Sequence, residues 1–207
     1  MTMKSSTSKL KRKSGKNHDS IRNEIISTSA RIFSLHGYKK TNIEDIAKAC
    51  RRGHSFIYYY FKSKEEVFRS VIEHEFQFLM TDLKEILNHS SDPQQKLRIY
   101  LTSRMNKMKT VSNLYDTLKN DFFDSVPYVE AIRLKFDQQE FSIICAILKE
   151  GKDRNIFYIE NTDTVTQAIM SAMRGLEIPF FIKQVVIDID NRIDELLNIL
   201  FYGLINR

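Results

Sequence analysis

The run Thr41-Asn42-Ile43-Glu44-Asp45-Ile46-Ala47-Lys48-Ala49-Cys50-Arg51-Arg52-Gly53-His54-Ser55-Phe56-Ile57-Tyr58-Tyr59-Tyr60-Phe61 decides the fold. Ile43, Ile46, Ala47 and Cys50 recur at the spacing of one helical face. Thr41, three residues ahead of Glu44, reads as a capping box that opens this helix. Arg51-Arg52-Gly53 interrupts the pattern, and a second short helix is expected from His54 to Phe61. Within it Ile57 and Phe61 are four apart, so they share a face and can anchor the helix to a core. Ala47 is small where two helices would cross closely. Two short helices joined by a tight turn containing Gly form the helix-turn-helix pattern, here at about 42–61.

With Ile57 and Phe61 inward, His54, Ser55, Phe56, Tyr58 and Tyr59 turn toward solvent or a ligand. Aromatic side chains exposed on so short a helix are wasteful unless something covers them. Tyr offers a hydroxyl to phosphates and a ring to thymine methyls and sugars. Arg51, Arg52, Lys62 and Lys64 flank the helix and would supply the sequence-independent, salt-sensitive grip on a phosphate backbone. The expected partner is double-stranded DNA.

The charge distribution agrees. Through Lys62 the chain carries fourteen Lys and Arg against four acids, while the whole chain is only +6, so the remainder is net acidic. A basic head on an acidic body is the electrostatic outline of a nucleic-acid binder. Residues 1–18 are Lys, Ser, Thr and Arg with almost nothing apolar, and read as a disordered basic tail. The DNA-binding domain is expected at 19–63, its first helix starting near Asp19, carrying Ile26, Ala30 and Phe33 on one face, and stopping at a left-handed Gly37.

Residues 64–207 read as a larger helical domain. Ser63 and Glu66 form a second capping box, opening a helix to about Leu87 whose inward side is marked by Val67, Val71, Phe78 and Leu79. Further helices are expected at about Pro93–Met108, Ser112–Asp121, Tyr128–Lys149 with a stop at Gly151, Thr162–Lys183 with a bend near Pro179, and Asn191–Tyr202. Six Gly and three Pro in 207 residues are too few for a strand-and-turn fold, so the fold class is all-α.

Other classes are poorly supported. Cys50 and Cys145 lie far apart and match no metal or redox spacing, so no metal site and no cofactor is expected. Nucleophile elbows and glycine-rich phosphate loops are absent from the sequence, so an enzyme is not expected. The apolar run Ile143–Leu148 is too short to span a bilayer, and the basic N-terminus lacks the apolar stretch of a secretory signal. A cytoplasmic protein without a membrane partner is expected.

The stretch from Thr41 through Ile43-Glu44-Asp45-Ile46-Ala47, then Tyr58-Tyr59-Tyr60-Phe61-Lys62-Ser63-Lys64-Glu65-Glu66, resembles the signature of the TetR family of transcriptional regulators, over about residues 21–70. The resemblance implies that Thr41 caps the second helix and touches phosphate. It implies that Tyr58, Tyr59 and Tyr60 lie on the DNA side or its rim, that Ile57 and Phe61 are structural, and that Lys64 meets the backbone. Arg51-Arg52-Gly53 and His54-Ser55-Phe56 depart from the family's usual turn and helix start.

The resemblance further implies an N-terminal three-helix DNA-binding domain followed by a ligand-binding and dimerisation domain. The implied assembly is a homodimer through the last two helices, with Ala168, Ala172 and Gly175 allowing close approach beside an apolar stripe from Ile193 through Leu204. Two-fold symmetry predicts a pseudo-palindromic operator with half-sites about one DNA turn (~34 Å) apart. A repressor released by a small-molecule effector is the implied function. Tyr100, Met105, Met108, Phe122, Phe141, Met170 and Met173 could line the effector pocket. Arg104, Arg174 and Glu177 could orient a polar group on the effector. The alternative is a DNA-localised protein-interaction adaptor without direct control of transcription.

Overall fold

The computed structural model describes residues 5–87, 90–108, 110–111, 113, 127–177 and 188–202. Among these residues every regular element is an α-helix. They are α1 (Ser5–His36), α2 (Ile43–Ala49), α3 (His54–Tyr60), α4 (Lys64–Leu87), α5 (Pro93–Met108), α6 (Pro127–Asp153), α7 (Thr162–Glu177) and α8 (Ile189–Tyr202). The expected helix at 112–121 and the bend at Pro179 lie outside the described residues.

Tertiary packing divides the chain into two units, with the division between Glu75 and Phe76. It falls inside α4, whereas the sequence reading sets the domain boundary at 63–64. The physical reason is that the first turns of α4 belong to the N-terminal core. Val67, Phe68 and Val71 are buried there, and Phe68 meets Phe33 edge-on at 5.0 Å between ring centroids.

In the N-terminal unit, Ile25, Ile26 and Phe33 of α1 are buried with Ile46 and Ala47 of α2, Ile57 of α3 and Phe61. Of the α1 residues read as inward, Ile26 and Phe33 are buried and Ala30 is half-buried, while Ile25, which the periodicity did not single out, is buried beside them. α1 ends where expected: Gly37 has φ 77°, and its N–H reaches the Phe33 carbonyl at 2.7 Å. The helix begins earlier than Asp19, at Ser5. Extending a helix whose inner turns are already fixed costs far less than nucleating one, so polar Lys- and Ser-rich sequence can continue it.

In the C-terminal unit, α4 contributes Phe76, Leu79, Met80 and Leu83 to the core. The inward residue is therefore Phe76 and not Phe78, which is 59% exposed. Residues 72, 76, 79, 80 and 83 keep the i, i+4, i+7 rhythm, and Phe78 falls off it. α5 is tied to α6 by Lys96–Glu150 at 2.6 Å and to α8 by Arg98–Asp194 in a two-pronged pair at 2.7 and 2.6 Å. Asn106 adds a hydrogen bond to Asp190 at 3.0 Å.

Gly151 is not the helix stop that the sequence suggests. α6 continues to Asp153, and the left-handed residue is Asn155, at φ 55°. Gly151 instead makes room: a Cβ there would sit 2.1 Å from the Phe157 ring. That ring cannot swing away freely. The Ile156 and Phe157 N–H groups both bond the Gly151 carbonyl, and Phe157 stacks on Phe201 with centroids 5.6 Å apart. Gly151→Ala is expected to destabilise the protein by about 1–3 kcal/mol. A urea titration checks it, and an unchanged midpoint would contradict the close-packing role.

Candidate nucleic-acid interface

The turn between α2 and α3 is built from backbone hydrogen bonds at the end of α2. The Arg51 N–H bonds the Lys48 carbonyl and the Arg52 N–H bonds the Ala47 carbonyl, each at 3.0 Å. This is a Schellman closure, which needs a left-handed residue just past the C-cap. Glycine usually fills that place. Here it is Arg51, at φ 54°, while Gly53 has an ordinary φ of −73° and precedes α3. A left-handed L-residue costs about 1–2 kcal/mol. The strain holds a cation at the rim of α3. Arg51→Gly is expected to raise stability by about 1 kcal/mol and to reduce the salt dependence of DNA binding by about one phosphate contact. Urea unfolding and a salt-titrated binding isotherm read the two effects.

The start of α2 is displaced by one residue from the sequence reading. The capping box is Asn42 with Asp45, not Thr41 with Glu44. The Asp45 N–H bonds the Asn42 side chain at 2.8 Å, and the Asn42 N–H bonds the Asp45 carboxylate at 3.0 Å. Thr41 is 2% exposed, and its hydroxyl donates to the Gly37 carbonyl at 2.9 Å. It is thus turned into the loop and not presented to a phosphate. The displacement frees Glu44, whose carboxylate lies 3.0 Å from His54 Nε2.

Lys64 is likewise turned inward. Its ammonium donates to the carbonyls of Tyr38 and Thr41, each at 3.0 Å, and lies 4.3 Å from the centre of the Tyr38 ring. Burial, then the nearby Glu65 charge, pushes the Tyr38 phenol above its ordinary range. Lys64 therefore pins the α1–α2 loop to the start of α4. The Ser63 hydroxyl accepts from the Glu66 N–H at 3.2 Å, but the Glu66 carboxylate takes the Lys62 N–H at 2.6 Å, not that of Ser63.

Along α3 the side chains sort into three faces. Ile57 is fully buried. Phe56 and Tyr60, four apart, are half-buried and 5.3 Å from each other, with the Arg52 guanidinium over the Phe56 ring and His18 of α1 against Tyr60 at 4.7 Å. His54, Ser55, Tyr58 and Tyr59 form the exposed face, with Tyr59 73% exposed. Arg51, Arg52 and Lys62 are exposed beside it. Of the residues expected to meet DNA, the structure brings these seven to one accessible edge. It sets Phe56 and Tyr60 at the side and turns Thr41 and Lys64 inward.

The residues expected to bind an effector do not form one group. Phe141, Met170 and Arg174 line an open groove of about 570 Å³ between α6 and α7, together with Asp137, Gln138, Ser142, Gln167 and Ser171. Arg174 is engaged there with Asp137 at 2.6 Å. Tyr100, Arg104 and Met105 are buried elsewhere in the unit, and Met173 is buried on α7. Arg104 clasps Glu140 of α6 at 2.5 and 3.1 Å, and the Tyr100 hydroxyl donates to the same carboxylate at 3.4 Å. Burial, then the Glu140 charge, drives the Tyr100 phenol well above its ordinary range. Phe122 and the side chains of Met108 and Glu177 lie outside the described residues. Glu140 and Asp137 were missed by the sequence reading.

Among the described residues no group of three or more His, Cys, Asp and Glu could hold a metal ion, and no helix is long and apolar enough to cross a membrane.

Residues 43–60 thus make a helix-turn-helix whose second helix has an exposed aromatic face flanked by Arg51, Arg52 and Lys62. Residues 25–71 match the family model described as bacterial regulatory proteins, tetR family. The matched stretch takes in the second half of α1, all of α2 and α3, and the first turns of α4. The chain is 34% identical over 80 residues to the HTH-type transcriptional repressor NicS of Pseudomonas putida, a match covering 39% of this chain and 38% of that protein. It is 22% identical over 162 residues to the HTH-type transcriptional regulator QacR of Staphylococcus aureus, covering 75% of this chain and 84% of that one. The chain thus spans little more than a third of the length of NicS. The fold as a whole resembles that of the regulator FadR from Bacillus subtilis, solved in complex with stearoyl-CoA, with a TM-score of 0.70 at 17% identity, covering 88% of this chain and 98% of that one.

Proposed function

We propose that this protein is a DNA-binding transcriptional regulator that acts as a repressor. The observation that carries the reading is the face of α3 formed by His54, Ser55, Tyr58 and Tyr59, flanked by Arg51, Arg52 and Lys62. An α-helix fits the major groove, where hydroxyls and rings can meet base edges, and the flanking cations can meet phosphates.

The working unit in this reading is a homodimer through α7 and α8. Support comes from what those helices leave outside. Ala168 and Gly175 are exposed on α7, and Ile199, Leu200 and Tyr202 on α8, at 46%, 39% and 74%. Apolar and small residues on adjacent turns suit a close helix–helix seam. A two-fold dimer reads a pseudo-palindrome. Release from the operator by a small-molecule effector is part of the proposal. The likeness to an acyl-CoA complex and the groove of Phe141, Met170 and Arg174 favour an effector with an apolar portion and an anionic or polar head.

Deletion of the gene, combined with mapping of the bound sites in cells, tests the reading. Genes beside the bound sites are expected to rise in expression. Bound sites with unchanged neighbours would favour the adaptor instead.

A further inference from the structure

α1 reaches well past the core that holds it. Ile25, Ile26 and Phe33 anchor it in the N-terminal unit, His18, Asp19 and Ser20 are exposed, and the helix runs back to Ser5. At about 1.5 Å per residue, residues 5–17 add about 20 Å of helix ahead of His18. The point of departure lies on the reading head. The His18 ring stands 4.7 Å from the Tyr60 ring and 6.0 Å from the Tyr59 ring, between centroids. Tyr59 belongs to the exposed face of α3, so the extension leaves the unit beside that face.

The composition of the extension is one-sided. Residues 5–17 include Lys9, Lys11, Arg12, Lys13 and Lys16 and no acid, and Asp19 is the first acid of the chain. Like charges four positions apart oppose a helix, and Lys9 with Lys13 and Arg12 with Lys16 have that spacing. Leu10 is the one large apolar residue in the stretch, so hydrophobic burial has little to work with. The compensating charge has to come from outside the segment. Duplex DNA in contact with α3 carries a negative charge about every 1.7 Å of its axis, and cations that meet phosphates release the counterions held there. An extension of about 20 Å starting beside α3 passes several of them.

We propose that residues 5–17 form a basic arm, a second grip on DNA separate from α3, lying along the phosphates that flank the half-site α3 reads. The arm adds affinity and length of contact, while base preference stays with α3. This assignment rests on the DNA-binding function proposed above, to which it adds a contact surface outside the helix-turn-helix.

The test compares three full-length proteins. They are the wild type, a neutral variant with Lys9→Gln, Lys11→Gln, Arg12→Gln, Lys13→Gln and Lys16→Gln, and a charge-keeping variant with Lys9→Arg, Lys11→Arg, Arg12→Lys, Lys13→Arg and Lys16→Arg. Glutamine, lysine and arginine are similar helix formers, so the helix itself is left alone. The duplex that the wild type selects from a random-sequence library is prepared in two lengths. One ends at the half-sites, and the other extends about six base pairs beyond each, which matches about 20 Å of duplex. Affinity is read by fluorescence anisotropy over a range of salt concentrations.

The wild type is expected to bind the long duplex about tenfold more tightly than the short one, and the neutral variant to bind both alike. On the long duplex the neutral variant is expected to bind about 10- to 100-fold more weakly, with a salt slope shallower by about two to four phosphate contacts per chain. The charge-keeping variant is expected to match the wild type, and all three to rank the selected sequences in the same order. Melting temperatures no lower than that of the wild type separate lost grip from lost fold. A neutral variant with wild-type affinity and wild-type salt slope overturns the proposal and leaves α3 as the reader. So does a neutral variant that loses binding to phosphatidylglycerol vesicles with no change on DNA, which assigns the cations to a membrane surface. Failure of the wild type to select any duplex overturns the DNA-binding reading as well.

Discussion

Replacing Arg104 with methionine is expected to destabilise the protein by about 3–5 kcal/mol. Arg104 is 3% exposed and Glu140 5%, so the substitution leaves a carboxylate buried without its cation. The guanidinium also sits 5.4 Å from the centre of the Phe136 ring, a contact that methionine can replace only in part. The cost arises from the orphaned charge rather than from the pair itself, because desolvation offsets most of what a buried ion pair gains. The double variant Arg104→Met with Glu140→Leu is therefore expected to recover most of the loss. Urea unfolding of the wild type, both single variants and the double variant measures the coupling. Equal losses in single and double variants would show that the pair holds α5 and α6 together in its own right. Recovery of stability would leave a different reason for a buried pair here, such as fixing the register of α5 on α6.

The second large effect lies in the reading head. Tyr59→Ala is expected to weaken operator binding by about 10- to 100-fold and to change folding stability by less than about 0.5 kcal/mol. Both follow from its position. At 73% exposed it adds little to the core, and it stands on the face with His54, Ser55 and Tyr58. Tyr60 makes the contrast. It is half-buried against His18 and Phe56, so Tyr60→Ala is expected to lower stability and affinity together. Paired anisotropy and melting measurements separate the two. Equal affinity for Tyr59→Ala and wild type would place the contact surface elsewhere.

Much of this head was legible in the sequence. Ile46, Ala47, Ile57 and Phe61 follow helical periodicity, and the structure buries all four. What was not legible was decided by contacts distant in sequence or by equivalent neighbours. Thr41 and Asn42 are both good caps, and only the Gly37 carbonyl, which takes the Thr41 hydroxyl, selects Asn42. Lys64 looks like a surface cation, because the carbonyls it binds belong to a loop more than twenty positions earlier. Nothing local marks Arg51 as left-handed, since Gly53 is the natural candidate.

In the body the reverse holds for one residue. Ile132, Phe136, Glu140, Ile144 and Leu148 recur every four positions along α6, and all five are buried. An acid inside that stripe is a signal of a buried pair, as is Arg104 within the stripe of Leu97, Leu101 and Met105. The effector residues were less legible because Met and aromatic side chains fill a core and a pocket equally well. Tyr100 and Met105 are buried, whereas Phe141 and Met170 line the groove.

The most direct test of the central claim is in vitro selection of duplex DNA from a random library by the full-length chain, run in parallel with Tyr59→Ala. The account predicts that the wild type enriches a pseudo-palindrome protected in footprinting, and that the variant enriches it weakly or not at all. Enrichment of no sequence by the wild type, or of the same sequence with equal strength by both proteins, would contradict the assignment of α3 as the element that reads DNA.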